Sequence, residues 1–365
     1  MDGGEIEPHQ AIEILNRRGC MSLYTEIFEQ PERLNALLSL QRENVEKIAR
    51  EIRSRDIRSI YLAARGTSDN AGRYANYLLG AFNQLPVTLA VPSLFTCYQQ
   101  PPKMQNALVI GISQSGQSPD IVSVLEEGKR QGNLTLAITN IAESPLAKAA
   151  DFVLHLNAGP ELAVAATKTY TAELMALAML SVELSGDGSR WNELEKVSGW
   201  MNEALKMDDT IRLASQRYRC IQNCVTIGRG YNYSTAFEWA LKLKELTYIV
   251  AEPFSSADFQ HGPLAMVSQG FPVFAIAPNG GVLDSMMTTL TRIKKDLNAE
   301  LVVMSNSHQA LQLADTGLAI SSQIPEWLSP IICIAPAQLF SYHLTMAKGF
   351  NPDLPRTIRK VTETS

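Results

Sequence analysis

No basic block interrupts this sequence. Its 365 residues carry 32 Lys and Arg against 37 Asp and Glu, a formal net charge of −5. Without a basic patch, nucleic acid is not an expected partner. No apolar run reaches the length needed to span a bilayer, so no membrane association is expected. The opening Met1-Asp2-Gly3-Gly4-Glu5 does not read as a signal peptide. Cysteine is scarce: the five, Cys20, Cys97, Cys220, Cys224 and Cys333, are scattered and odd in number. Cys220 and Cys224 have no second ligand pair nearby, so no zinc site is expected. A reducing, cytoplasmic setting fits this cysteine usage. Both common nucleotide loops are missing, the Gly-x-x-x-x-Gly that ends in Lys-Ser/Thr and the Gly-x-Gly-x-x-Gly.

What is present centres on Gly111-Ile112-Ser113-Gln114-Ser115-Gly116-Gln117-Ser118-Pro119-Asp120. The apolar Ala107-Leu108-Val109-Ile110 before it is short enough for a buried parallel strand. Asp120 to Glu127 after it reads as an amphipathic helix. The first amides of a helix lack intrahelical partners and sit at the positive end of its dipole, so a strand, a Gly/Ser loop and a helix start bind anions. Ser113, Ser115, Ser118 and Gln114 add neutral donors that can surround phosphate oxygens. An ordinary turn would need only one or two such residues. With the nucleotide loops missing, a small phosphorylated ligand is the expectation.

Residues 1 to 20 read as a loose lead, and 21 to 53 carry a helical stripe of Leu34, Leu37, Leu38, Val45, Ile48 and Ile52, with Pro31 expected in the first turn. From Ser59 strands and helices alternate. Strands are expected at 59–63, 86–90, 107–112, 134–138 and 152–156, and helices at 69–82, 120–131 and 167–184, with Arg65-Gly66-Thr67-Ser68 a loop. Such alternation makes an α/β fold, a parallel sheet covered on both faces that binds ligands beyond the carboxyl ends of its strands. Residues 191–219 read as a polar helical connector. The pattern then restarts, with strands at 224–228, 271–277 and 300–304 and helices at 234–248, 283–297 and 329–348.

The restart is an internal repeat. Arg65-Gly66 returns as Arg229-Gly230, an offset of 164 residues (229 − 65). The same offset carries Gly116 to Gly280 and Asp120 to Asp284, but Ser113 to Ala277, Gln114 to Pro278 and Ser115 to Asn279. The two halves are expected to share a fold, with the phosphate loop kept only in the first.

The Ser-Gln-Ser-Gly-x-Ser loop, together with Leu241-Lys242-Leu243-Lys244-Glu245 and His261-Gly262-Pro263-Leu264 in the second half, resembles the double sugar-isomerase (SIS) domain proteins. These include the isomerase half of glucosamine-6-phosphate synthase, stand-alone glucosamine-6-phosphate deaminases and sugar-phosphate isomerases. The resemblance runs from Glu26-Ile27-Phe28-Glu29-Gln30-Pro31 to the tail Pro355-Arg356-Thr357-Ile358-Arg359-Lys360. It implies two tandem SIS domains, each a flavodoxin-like, doubly wound parallel sheet between helices. The expected divisions are a helical lead at 1–55, a first domain at 56–186, a connector at 187–220, a second domain at 221–350 and a tail at 351–365 that contributes to the active site.

The resemblance also implies roles. Ser68, Ser113, Gln114, Ser115 and Ser118 match the family's phosphate ligands, and Thr67, Val164 and Ala165 the positions along the sugar. Arg65 and Gly66 belong to the same substrate loop. Glu245 matches the carboxylate that moves a proton between C1 and C2. His261 matches a ring-opening histidine supplied by the neighbouring subunit of a homodimer with shared sites. Lys242 matches a further active-site lysine, and Lys360 one near the C1–C2 end that can form a Schiff base in the synthase. No cofactor is implied, and no metal site is visible.

Proton transfer between adjacent carbons needs a positioned base, and Lys242 and Glu245, three apart, share a helix face on which the lysine can hold the carboxylate charged. Without the resemblance, the pair fits a solvated ion pair, His261 a structural turn residue and Lys360 an inert tail.

Two departures bear on the substrate. Arg65 stands where the synthase has Cys, and Ala166 where it has Ser. A chain beginning Met1-Asp2 leaves no room for the synthase's glutaminase domain and is not expected to take ammonia from glutamine by itself. The expected activity is therefore glucosamine-6-phosphate deamination to fructose 6-phosphate. The alternatives are another phosphosugar isomerase, a deglycase, or a sensor that binds without turnover. A regulator would carry a helix-turn-helix module, for which residues 1 to 58 offer one long helix and no basic recognition helix.

Overall fold

The computed structural model describes residues 22–358 and 360. The expected lead at 1–20, and the tail residues 359 and 361–365, lie outside them. Helix α1 (Ser22–Arg53) comes first. The first half then runs β1 (Ser59–Ala63), α2 (Gly66–Asn83), β2 (Val87–Leu89), β3 (Ala107–Ile112), α3 (Pro119–Arg130), β4 (Leu134–Thr139), β5 (Phe152–His155) and α4 (Lys168–Ser185). The second half runs β6 (Asn223–Gly228), α5 (Tyr233–Thr247), β7 (Val250–Ser255), β8 (Pro272–Ile276), α6 (Leu283–Lys295), β9 (Glu300–Ser305), β10 (Thr316–Ala319) and α7 (Ser329–Ala347).

Each half holds one five-stranded sheet, ordered β2-β1-β3-β4-β5 in the first and β10-β9-β8-β6-β7 in the second. Every pairing is parallel. Read from its other edge, the second sheet repeats the order of the first, so the repeat seen in sequence is a repeat of fold. Central strands β3 and β4 are buried at every position. That is why β3 reads as one apolar run and β4 as a nearly continuous one, its buried Thr135 hydroxyl satisfied by Asp151 Oδ2 at 2.9 Å. In register, Leu62 faces Ile110, and Ile110 faces Leu136.

Both sheets are covered on two faces. Outside, α3 packs Leu125 on Val109 and Ala137 of the first sheet, and α6 packs Met286 and Leu290 on the second. Inside, one continuous core joins the halves, with Leu37 of α1, Leu78 of α2, Leu177 of α4, Leu243 of α5 and Leu339 of α7 in the same cluster. Helix α7 is apolar on all sides and buried from Ser329 to Thr345, as such a helix must be.

Four expectations need correction. Pro31 is not in a first turn: it lies inside α1 and is buried. A proline there frees the carbonyl four residues back. The Gln30 side chain supplies the missing donor, its Nε2 reaching the Ile27 carbonyl at 2.8 Å. Helix α2 begins at Gly66, so Gly66, Thr67 and Ser68 form its first turn rather than a loop. The connector is three separate helical segments, Trp191–Leu194, Val197–Leu205 and Asp208–Ser215. Strands β7 and β10 were not expected. Both are edges, where Pro253 and Gly317 are tolerated although they weaken the sequence signal for a strand.

Candidate active site

The carboxyl ends of β1 and β3 set the site. After β1, Arg65 is extended and Gly66 takes φ +54°, a turn that starts α2 at once. After β3, the Ser113 amide donates to the Ile138 carbonyl of β4, tying the loop to the sheet at 3.1 Å. Gly116 has φ +62°, and a Cβ there would lie 2.2 Å from Ser144 Oγ, so only glycine fits. Ser118 precedes α3 with extended backbone, and its side chain makes no capping bond. Pro119 opens α3 without an N–H and the Ile121 amide already donates to the Ser118 carbonyl at 3.1 Å, so the Ser118 hydroxyl and the Asp120 amide are what this helix start offers an anion.

These loops and the segment after β5 enclose a cavity of about 320 Å³. Its lining includes Arg65, Gly66, Thr67, Ser68, Ser113, Gln114, Ser115, Ser118 and Val164, and also Glu245 and Lys360 from the far end of the sequence. Three other sequence candidates lie elsewhere. Ala165 is buried, and its neighbours Val164 and Ala166 take the lining positions instead. Lys242 is buried behind the wall. His261 is exposed on a turn, its amide bonded to the Asp258 carbonyl at 3.0 Å, and is not among the lining residues of its own chain.

A larger hollow of about 840 Å³ opens at the opposite sheet edge, where β1, β3 and β4 begin. Its charges Glu127 and Arg130 already pair at 2.6 Å, and strand amino ends are not where parallel sheets bind ligands.

The smaller cavity is rich in arranged charge. Lys242 Nζ lies 2.5 Å from Glu245 Oε2 and 3.3 Å from Glu238 Oε1. Burial opposes the Lys242 charge, but Glu245 and Glu238 outweigh it and hold the ammonium above its ordinary range. Glu238 is fully buried; it accepts hydrogen bonds from Thr67 Oγ1 at 3.0 Å and Asn70 Nδ2 at 2.8 Å. Burial pushes its carboxyl up to about 7, with Lys242 pulling it down and Glu245 adding to the rise. The two halves thus meet through α2 and α5 at the site itself.

On the other wall, Lys360 Nζ pairs with Glu161 Oε2 at 2.7 Å. Glu161 also accepts the amides of Thr167 and Thr169, fixing the start of α4. Burial works against its charge, but Lys360 and those amides bring the carboxyl below its usual range. Arg65 Nε donates to Asp120 Oδ2 at 2.7 Å; the arginine is 51% exposed and the aspartate 1%. Asp120 thus aims the guanidinium at the cavity mouth.

The SIS domain family matches residues 54–183 and again 217–348. The chain belongs to the SIS domain family. It is 35% identical over 344 residues to the glutamine–fructose-6-phosphate aminotransferase (isomerizing) of Thermococcus kodakarensis, covering 92% of this chain but 56% of that protein. Among solved structures, the C-terminal domain of glucosamine-fructose-6-phosphate aminotransferase from Francisella tularensis superposes with a TM-score of 0.84 at 29% identity, covering 92% of this chain and 98% of that one. Glucosamine-6-phosphate deaminase from Thermotoga maritima shares the fold, with a TM-score of 0.75 at 21% identity over 94% of this chain and all of that one.

Within this SIS frame, sequence reasoning missed Glu161, Thr169, Glu173, Glu238 and Ile358, which line or support the cavity. Only Glu238 left a local signal. It stands four residues before Lys242 and seven before Glu245, on one helix face. Among the described residues, no three His, Cys, Asp or Glu side chains are grouped to hold a metal ion, and no helix is long and apolar enough to cross a membrane.

Proposed function

We propose that this chain is a phosphosugar isomerase of the ammonia-releasing kind, converting glucosamine 6-phosphate and water to fructose 6-phosphate and ammonia. One observation carries the reading: the Glu245 carboxyl shares a single cavity with the Ser113–Ser118 loop, and Lys242 backs that carboxyl at 2.5 Å. The loop donors and Ser68 hold the phosphate and so fix the sugar's far end. In the open-chain aldehyde, Glu245 removes the C2 proton, and the electrons move into an enolamine. Returning the proton to C1 leaves an imine at C2, which water hydrolyses to the ketone and ammonia. No atom changes oxidation state beyond the internal aldose-to-ketose shift. Arg65 meets a substrate oxygen at the mouth, and Lys360 lies against the reacting end. We assign His261 to ring opening in the site of a second copy, because its own site does not include it.

The test is direct. Incubation with glucosamine 6-phosphate should yield equal amounts of ammonia and fructose 6-phosphate. Isomerisation of other phosphosugars without ammonia would move the assignment to a plain aldose–ketose isomerase. Tight binding with no turnover would leave a sensor.

A further inference from the structure

One carboxyl in the cavity has no cation. Glu161 has Lys360, Glu238 and Glu245 have Lys242, and Asp120 has Arg65. Glu173, on α4, is 1% exposed and lines the same cavity. Its Oε1 accepts a hydrogen bond from Ser68 Oγ at 2.7 Å, and its Oε2 is buried with no partner. The packed neighbours bring it no positive charge. From α1, Glu29 is taken by Lys168 at 2.5 Å, and Glu26 accepts the amides of Leu162 and Ala163. From α2, Asp69 pairs with Arg73, and α7 carries no Asp, Glu, Lys or Arg. The groups that act on Glu173 by charge are Glu161 and Glu238, both acidic. Burial first, and those two carboxyls after it, hold Glu173 well above the ordinary carboxylate range, with the Ser68 bond pulling the other way.

Protonation of Glu173 matters because a serine has one hydrogen. When Glu173 is ionised, Ser68 spends that hydrogen on the carboxylate and shows the cavity only lone pairs, which repel a phosphate. When Glu173 carries a proton, it can donate to Ser68 Oγ, and the serine hydrogen is released toward the ligand. We propose that Glu173 is a positioning residue that sets the direction of the Ser68 hydroxyl, making it a donor to an acceptor oxygen of a phosphorylated ligand while the carboxyl stays neutral. This rests on the phosphosugar reading above. It implies that alkaline pH weakens phosphate binding at this site, with one proton taken up on binding.

Hexitol 6-phosphate, which has no carbonyl to isomerise, serves as the probe, with affinity measured by calorimetry from pH 7.5 to 9.5. The second phosphate ionisation, near pH 6, is complete there. The parent chain should lose affinity as pH rises, approaching tenfold per unit above the Glu173 transition, with proton uptake revealed by two buffers of different ionisation heat. Glu173→Gln should bind with little dependence on pH, because an amide N–H donates to Ser68 at every pH. Ser68→Ala should bind more weakly at pH 7.5 and lose the same dependence. Equal pH profiles for parent and Glu173→Gln would overturn the inference. If that variant does not fold, unchanged affinity of Ser68→Ala for the probe at pH 7.5 overturns it alone. Failure of the parent to bind the probe at pH 7.5 would instead overturn the phosphosugar reading, and this inference with it.

Discussion

Replacing Lys242 with Met removes the one ammonium that Glu238 and Glu245 share. The methionine fills similar space, so the change is mainly one of charge. Lys242 is 1% exposed and Glu238 fully buried, so water cannot substitute for the lost partner. Breaking a buried pair by removing one member costs about 3–5 kcal/mol. Here the loss is eased, because Glu238 already lies at about 7 and can take up a proton in place of the cation. At neutral pH about 3 kcal/mol is expected, at the low end of that range. The sign with pH follows from the carboxyl. In the variant, the folded Glu238 binds its proton more tightly than the unfolded chain does. Its protonated form therefore favours folding at acid pH, and that support disappears as pH rises through its folded pKa. The stability deficit should be smaller at pH 5 than at pH 8.5. In the parent, Lys242 is held above its ordinary value, so its contribution is fully present across this range. Denaturant titrations of both chains at the two pH values measure this. A deficit below about 0.5 kcal/mol, the level of an exposed pair, or one independent of pH, would refute the reasoning.

Other outcomes follow from the same geometry. Ser113→Ala with Ser115→Ala should raise KM for a phosphorylated sugar strongly, at about 1.5–3 kcal/mol for each hydrogen bond to a charged group; steady-state kinetics with and without the 6-phosphate check this, and an unchanged KM removes the loop from the site. Gly116→Ala forces a side chain into φ +62° and against Ser144, so it should both destabilise the fold and weaken phosphate binding, as seen by melting and calorimetry; wild-type values for both would contradict the close approach. A Glu245→Gln chain mixed with a His261→Ala chain should recover part of the activity if subunits exchange, and a monomer by light scattering at working concentration would contradict the shared site.

The strand–loop–helix start at 107–120 was legible because its signals sit in consecutive residues: apolar strand, hydroxyls, Gly116 and helix start. The strands and helices of the first half followed from apolar runs and helical spacing, and the repeat from a single offset; the order of strands in the sheet came only with the structure. Edges were harder. Strand β7 contains Glu252 and Pro253, and β10 is four residues with a glycine, so neither looks like a strand until its neighbour is known. The least legible feature was the set of buried carboxyls. Glu173 sits 105 residues from Ser68, and Glu161 199 from Lys360. A lone Glu in an apolar helix gives no sign of whether it meets solvent, a cation or a serine. Ser68 and Glu173 meet only when α2 and α4 pack within the first half, and Glu161 meets Lys360 only when the tail folds back across the cavity.

The central claim is that Glu245 is the proton-transfer base, and one preparation of Glu245→Gln tests it. The amide keeps the shape but cannot accept the proton. Losing a general base typically slows turnover about 10²–10⁴-fold. The account predicts a kcat at least roughly a hundredfold below the parent, with substrate affinity and melting temperature nearly retained and no exchange of the substrate's C2 hydrogen with solvent. A near-normal kcat accompanied by a lowered melting temperature would contradict it, leaving Glu245 a structural partner of Lys242.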